Sequence, residues 1–175
     1  MVSLKRYIVV ALPVVYLIFA SHSHVDASNN FCATAVDKQL CVTTVKGAQS
    51  WDEAITKALI LSQNQLAKAS KSGNPACKKY YKDTKENLKE SLEAMGIAAG
   101  SEEVKNKSLN VQLPAALTNL EDCIKALKGL KEYTSAEKTL MHGVEQAIRV
   151  CLAVNESKSA SKSPMSYTPS FNIIS

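Results

Sequence analysis

Histidine, glycine, proline and aromatic residues are all scarce in this 175-residue sequence. Two of the three histidines, His22 and His24, lie near the N-terminus, so little material remains for a histidine-based metal site. Six glycines and five prolines exclude a collagen-like or linker-dominated chain. Aromatic residues make up 6% of the chain and do not interleave with a basic patch, which argues against nucleic-acid binding.

The sequence offers no pair of residues suited to nucleophilic catalysis. A nucleophile needs a base within hydrogen-bond reach. His142 and Cys151 lie nine positions apart in one predicted helix, about 180° around it and about 13.5 Å along it. Acidic residues alternate with lysines, as on solvated helix faces. Without a CxxC, HExxH or glycine-rich phosphate motif, we expect a protein that is not an enzyme and holds no cofactor or metal.

The first 27 residues have the pattern of a secretory signal peptide. Lys5 and Arg6 precede an uncharged run over residues 7–20, and a small-residue cleavage pattern ends at Ala27. The run is shorter than the ~20 apolar residues of a membrane span; an uncleaved signal anchor is the alternative. Cleavage after Ala27, with Ala20 and Ser23 as alternative sites, leaves 148 residues (175 − 27). No further long apolar stretch follows, so we expect secretion and no membrane attachment after cleavage.

The charge of the mature chain is modestly positive. The whole sequence carries +5, and loss of Lys5, Arg6 and Asp26 leaves +4 (5 − 2 + 1). Outside the cell, such a charge favours retention on acidic polysaccharide or membrane surfaces. Two acceptor triplets for N-glycosylation, at Asn106 and Asn155, fit a secreted protein. The segment 155–175 is serine-rich without hydrophobic period, which predicts a disordered tail.

Four segments beyond residue 50 have the hydrophobic period of helices. They cover about 51–71, 75–95, 101–130 and the region after Thr134, which opens a capping box with Glu137. Pro114 predicts a kink, or a division of the third segment into 101–112 and 114–130. Narrow seams and short loops predict an all-α fold, an antiparallel four-helix bundle over 51–154. The seams are Trp51, Ile55, Ala58/Leu59, Leu66, Ala69; Cys77, Tyr81, Thr84, Leu88, Leu92, Met95; Leu109, Leu113, Ala116, Leu120, Cys123, Leu127, Leu130; and Leu140/Met141, Val144, Ile148, Cys151.

Five cysteines follow the signal peptide and allow fifteen ways of forming two bridges (five choices of free thiol, three pairings of the rest). Cys77 and Cys123 both fall in predicted seams on neighbouring antiparallel helices, so a bridge between them is geometrically sensible. Cys32 and Cys41 are close enough in sequence to close a small hairpin within residues 28–50. Cys151 is then a free thiol, and we expect it to be buried and inert rather than reactive.

Local motifs resemble the plant invertase and pectin methylesterase inhibitor family across about residues 30–155. The resemblance includes the Cys-x8-Cys hairpin ending in Leu40-Cys41, the segment Cys77-Lys-Lys-Tyr-Tyr-Lys-Asp83, and Pro114-Ala-Ala-Leu-Thr-Asn119 before Cys123. It implies a disulfide-stapled four-helix bundle with an N-terminal helical hairpin extension, secreted to the apoplast or cell wall, that inhibits a carbohydrate-active enzyme in a 1:1 complex. Two departures are a shorter stretch between Cys41 and Cys77 and a proline where the family has serine.

The resemblance also guides the choice of target and surface. Family invertase inhibitors share a Pro-Lys-Phe tripeptide before the third bundle helix, and residues 96–102 lack it, which favours pectin methylesterase as the target. Inhibition of invertase and a non-inhibitory secreted bundle are the alternatives; a small lipid carrier is disfavoured by the tight Leu/Ala seams. A basic stripe beside the second seam, or the adjoining third helix, is the expected contact surface; the stripe is Lys78, Lys82, Lys85 and Lys89.

Overall fold

The computed structural model of the chain describes residues 30–96 and 101–160, and every regular element in these ranges is helical. The signal peptide predicted over residues 1–27 lies outside the described residues, as do residues 161–175 of the predicted tail. A one-turn 3-10 helix, Pro75–Cys77, leads directly into the third of five α-helices. The helices are α1 Lys38–Val45, α2 Trp51–Ser72, α3 Lys78–Gly96, α4 Glu102–Gly129 and α5 Ser135–Ala160.

Polar side chains fix the starts of these helices. Ser50 Oγ accepts a hydrogen bond from Glu53 N at 3.2 Å, and Asn74 Oδ1 accepts one from Ala76 N at 2.8 Å. The capping box predicted at the start of α5 is only half formed. Thr134 Oγ1 accepts from Glu137 N at 3.2 Å, but the Glu137 side chain is buried and its Oε2 has no partner in the described structure.

The four long helices form an antiparallel ring in which each helix packs against its neighbours in sequence and α5 closes against α2. Trp51 Nε1, at the start of α2, donates to Val154 O near the end of α5 at 2.9 Å. Between α3 and α4, Cys77 is bridged to Cys123 and Thr84 Oγ1 donates to Ala116 O at 3.5 Å, so numbers rise along one helix as they fall along the other. Helix α2 has 22 residues, about six turns, and is shorter than the 28-residue α4 and the 26-residue α5.

The predicted seams form the core. Leu59, Leu88, Leu113 and Ile148 are all fully buried, one from each long helix. Leu130, predicted to end the third seam, is instead 57% exposed. Leu130 is the C-capping residue of α4, which ends at Gly129; its N–H still donates to Ala126 O, so its exposure comes from its place at the helix end and not from a change of backbone conformation.

Helix α4 is continuous through Pro114, so its predicted division into two pieces is wrong. A proline inside a helix removes one backbone donor, which leaves the carbonyl of Asn110 without its usual partner. Leu113 and Ala116 on either side of the proline remain fully buried against neighbouring helices. Packing of this seam therefore outweighs the local preference for a break.

Two disulfides join the cysteine pairs that the sequence analysis favoured. Cys32 bonds to Cys41 within the N-terminal hairpin, with their Cα atoms 5.8 Å apart. Cys77 bonds to Cys123 across the α3–α4 interface, with Cα atoms 5.2 Å apart. The first bridge holds α1 in its hairpin beside α2, and the second ties the start of α3 to the second half of α4.

The last helix extends further than expected. Helix α5 continues to Ala160. Residues 155–160 therefore belong to this helix and not to the disordered tail that was predicted to begin at Asn155. The serine content that suggested disorder is outweighed here by contacts of Asn155 and Lys158 with α2 and α4. Within the described ranges, none of the helices has the length and apolar character required to cross a membrane.

Candidate functional site: a basic groove between α2 and α3

The lysine stripe of the sequence analysis occupies one exposed edge of α3. Lys78, Lys82, Lys85 and Lys89 are all exposed, and their positions fall within about 60° around the helix. They span about 16 Å along its axis at 1.5 Å per residue. Because the buried seam of α3 lies beside this arc, the stripe borders the line along which α3 meets α2.

Two of the four lysines have ion-pair partners on their own helix. Lys82 Nζ lies 3.9 Å from Glu86 Oε1, and Lys89 Nζ lies 3.3 Å from Glu93 Oε1. All four side chains in these pairs are more than half exposed, so solvent screening leaves each pair worth only a few tenths of a kcal/mol.

Lys78 and Lys85 have no ion-pair partner within the part of the chain that the structure describes. The stripe thus retains two uncompensated positive charges and two weakly paired ones. An anionic ligand or partner can displace Glu86 and Glu93 at little cost, because the existing pairs are weak.

The structure adds a second wall to the stripe. Two adjoining depressions, which share Ser70 and Lys85, run between α2 and α3, and we call them together the α2–α3 groove. The floor contains the buried side chains of Leu66 and Tyr81. The remaining polar lining includes Gln63, Asn64, Ser70, Lys71, Asn74, Lys78, Lys79, Lys82, Lys85, Lys89 and Glu93.

Sequence reasoning missed the α2 wall and Lys79 for a physical reason. Periodicity identifies the buried face of a single helix, but it does not say which polar face of α2 lies opposite which polar face of α3. Gln63, Asn64 and Ser70 are unremarkable on an isolated helix. Only the antiparallel packing of α2 on α3 brings them beside the lysines.

Helix α4, named with the stripe as a candidate contact surface, has a different outward face. Val104 and Val111 are 51% and 59% exposed, about two turns apart on the same side of the helix. Pro114 and Thr118 continue this exposed side. Because exposed apolar side chains are the usual centre of protein–protein interfaces, this face is better suited to a protein partner than a heavily charged one.

The two predicted glycosylation acceptors differ in their surroundings. Asn155 is 8% exposed, and its Nδ2 donates to Asn110 Oδ1 at 2.7 Å between α5 and α4. Asn106 is half-buried beside a polar surface groove along the first turns of α4, and its Oδ1 has no hydrogen-bond partner among the described residues. The Asn106 amide therefore does not tie two helices together as the Asn155 amide does.

Cys151 and His142 occupy unrelated environments. The Cys151 thiol is buried with its Sγ 3.3 Å from Ser62 Oγ, and desolvation raises the thiol pKa to about 12. His142 lies on the exposed side of the same helix. The described residues contain no cluster of three or more His, Cys, Asp or Glu side chains suited to a metal ion. The buried, protonated thiol is in an environment that suppresses its reactivity.

Comparison with known proteins agrees with the fold. No curated protein matches the chain. The family model described as plant invertase/pectin methylesterase inhibitor matches residues 26–154, which is 129 (154 − 26 + 1) of the 175 residues. This range includes both disulfides and nearly the whole bundle. The chain therefore belongs to the plant invertase/pectin methylesterase inhibitor family.

Proposed function

We propose that this protein is a secreted inhibitor of pectin methylesterase, which it blocks by covering the substrate cleft in a 1:1 complex. The observation that carries this proposal is the family match over residues 26–154, because the family is one of inhibitors and not of enzymes. Secretion to the apoplast or cell wall is part of the proposal and is supported by the signal-peptide pattern of residues 1–27.

Inhibition of this kind requires a rigid surface and no chemistry of the inhibitor's own. The bundle supplies rigidity through its long antiparallel helices and the bridge from Cys77 to Cys123. A preorganised surface loses little conformational freedom on binding, which favours a tight complex. The buried thiol of Cys151 is not positioned to take part in covalent inhibition.

The choice of pectin methylesterase over invertase is supported by the sequence before α4. Residues 96–102 lack the Pro-Lys-Phe tripeptide that family invertase inhibitors share. The family description covers both targets, so invertase is the second candidate.

We place the enzyme contact on the outward face of α4, with the lysine stripe of α3 as the competing surface. The argument is the exposure of Val104 and Val111 on α4. The variant Val104→Glu/Val111→Glu puts charge into that face, and Val36→Glu, at a 79% exposed position in the N-terminal hairpin, is the matched control. We expect the α4 variant to lose at least ~2 kcal/mol of binding free energy and the control to bind normally.

The test mixes the disulfide-bonded protein with pectin methylesterase and, separately, with acid invertase over about pH 4.5–7. Methanol release and sugar release report activity, and size-exclusion chromatography reports complex formation. Loss of esterase activity together with a 1:1 complex supports the proposal. Inhibition of invertase alone would mean that invertase is the target. A folded protein that binds neither enzyme would favour the non-inhibitory bundle.

Secretion has its own test. Expression of the full sequence in a plant cell and N-terminal sequencing of the protein in the medium should give a chain that begins at Ser28. Retention in the membrane fraction with residues 1–27 intact would instead support the signal-anchor alternative.

A further inference from the structure

The α2–α3 groove has a marked imbalance of charge. Six lysines line it, and Glu93 is the one acidic residue among its lining side chains. Only Lys82 and Lys89 of the six have an ion-pair partner in the described residues. A concave surface lined by charges of one sign concentrates ligands of the opposite sign. The first requirement on the occupant is therefore negative charge.

The arrangement of the lysines indicates a linear polyanion rather than a single anion. Successive lysines of the stripe are separated by about 6, 4.5 and 6 Å along the axis of α3. They form a row about 16 Å long, not a ring around one point. Lys85 borders both depressions, so the positive row is continuous from one to the other.

The rest of the lining describes the uncharged part of the ligand. Ala67, Pro75 and Leu92 give the groove accessible apolar surface, and Gln63, Asn64 and Ser70 supply hydrogen-bonding groups along the α2 wall. A chain of sugar acids presents matching features: carboxylates at regular intervals, hydroxyl groups between them and apolar ring faces. Such a ligand uses all three kinds of side chain in the groove.

Two other polyanionic surfaces fit less well. A membrane surface is flat and is held by apolar side chains in addition to basic ones, yet no large hydrophobic side chain of α3 is exposed in its described residues. Single-stranded nucleic acid is held by stacking on exposed aromatic rings. The tyrosine of the groove, Tyr81, is only 5% exposed and is part of the core.

We propose that the α2–α3 groove is a binding site for a linear polyuronate such as de-esterified pectin, separate from the enzyme contact on α4. The binding itself depends only on the groove, whereas its link to the esterase rests on the proposed function. Pectin methylesterase converts neutral methyl esters into carboxylates, so its product has the charge that the groove selects. The site would hold the inhibitor on wall regions where the esterase has already acted.

The test measures binding of a de-esterified oligogalacturonate to the disulfide-bonded protein by calorimetry, in the absence of any enzyme. The groove variant replaces Lys78, Lys82, Lys85 and Lys89 by glutamine, and the matched control replaces four exposed lysines outside the groove, Lys38, Lys107, Lys125 and Lys138. Both variants lose the same net charge. We expect the groove variant to bind about tenfold more weakly or worse and the control to change by about twofold or less.

Three results would overturn the proposal. The first is equal weakening in both variants, which would mean attraction to net charge alone. The second is equal binding of a fully methyl-esterified oligomer, and the third is equally tight binding of a single-stranded oligonucleotide. Raising sodium chloride from about 50 to about 500 mM should abolish binding, since screening shortens the reach of the lysine charges. If the fourfold variant does not fold, Lys85→Gln alone tests the residue that both depressions share.

The failure of this inference and the failure of the proposed function are distinguishable. Complex formation with the esterase is scored without polysaccharide, and polyuronate binding is scored without enzyme. A groove variant that still inhibits the esterase but no longer binds polyuronate supports two separate sites. If the protein binds polyuronate but inhibits no enzyme, the inference about the groove stands and the proposed function is wrong.

Discussion

Lys158 stacks on Trp51 at one end of the bundle, with its Nζ 3.5 Å from the centroid of the indole ring. The same ammonium group lies 2.9 Å from Glu102 Oε1, so it joins the start of α2, the start of α4 and the end of α5. The Lys158 side chain is only 9% exposed, which strengthens a cation–π contact relative to one in open water. Lys158 lies beyond residue 154, where the family match ends.

The contacts of Lys158 lead to a prediction for the stability of the bundle. Lys158→Ala should lower the free energy of unfolding by about 1–2 kcal/mol, because a largely desolvated cation–π contact is lost. Lys138→Ala, at an exposed position on the same helix, is the control and should change it by less than about 0.5 kcal/mol. Urea unfolding followed by circular dichroism measures both. Equal effects of the two substitutions would contradict a specific role for the pair.

The two glycosylation acceptors should not be equivalent. A glycan on Asn155 would break its hydrogen bond to Asn110 and force a buried amide out of the α4–α5 interface, so we expect only Asn106 to be modified. Protein secreted from a plant cell should lose its glycan mass in Ser108→Ala and keep it in Ser157→Ala. A mass loss in Ser157→Ala would show that the end of α5 is open when the glycan is added.

The buried thiol predicts a loss of stability in alkaline solution. The pKa of Cys151 rises from 9.0 to about 12 on folding because burial disfavours the thiolate. Above pH 9 the unfolded chain therefore loses a proton that the folded chain keeps, which favours unfolding. This effect is absent below the unfolded pKa, grows as pH rises and levels off near pH 12.

The measurement compares the parent protein with Cys151→Ala between pH 8 and 10. The parent should lose about 1.4 kcal/mol more stability over this interval, since one proton is released only on unfolding. Tyr81, whose pKa is raised from 10.0 to about 12 by burial and by the charge of Glu137, adds a loss at higher pH that both proteins share. Parallel pH profiles would contradict the assignment to Cys151.

Pro114 should limit the stability of α4. Pro114→Ala restores a donor for the carbonyl of Asn110 and should raise the free energy of unfolding by about 1–3 kcal/mol. Ala115→Pro, which adds a second proline beside Pro114 and removes one more backbone donor, should lower it by about 3 kcal/mol or more. Thermal unfolding measures both changes. Destabilisation by Pro114→Ala would mean that the proline ring makes packing contacts that outweigh the missing hydrogen bond.

Much of the fold could be predicted from the sequence because helical period and burial are linked directly. Leu109, Leu113 and Leu120 are separated by four and seven residues, and all three are buried in α4. The same link places Cys77 and Cys123 in facing seams, which is how their bridge could be anticipated. Leu130 was misassigned because the hydrophobic period indicates which side of a helix is buried but not the residue at which the helix ends.

The candidate site was less predictable, since it depends on two helices at once. The lysine stripe follows from the spacing of Lys78, Lys82, Lys85 and Lys89 in α3 alone. The opposite wall, with Gln63, Asn64 and Ser70, exists only because α2 packs antiparallel to α3.

The helices, their buried faces and the family could therefore be predicted from the sequence, because each of these depends on residue type at local spacing, whereas the cysteine pairing could only be narrowed by helical phase. Tertiary structure alone decided that α4 continues through Pro114 and that α5 extends to Ala160. In both cases contacts with neighbouring helices outweigh a local signal for a break or a tail. The meeting of Trp51 and Lys158 across 107 residues (158 − 51) has the same origin, because packing brings together side chains that no local pattern relates.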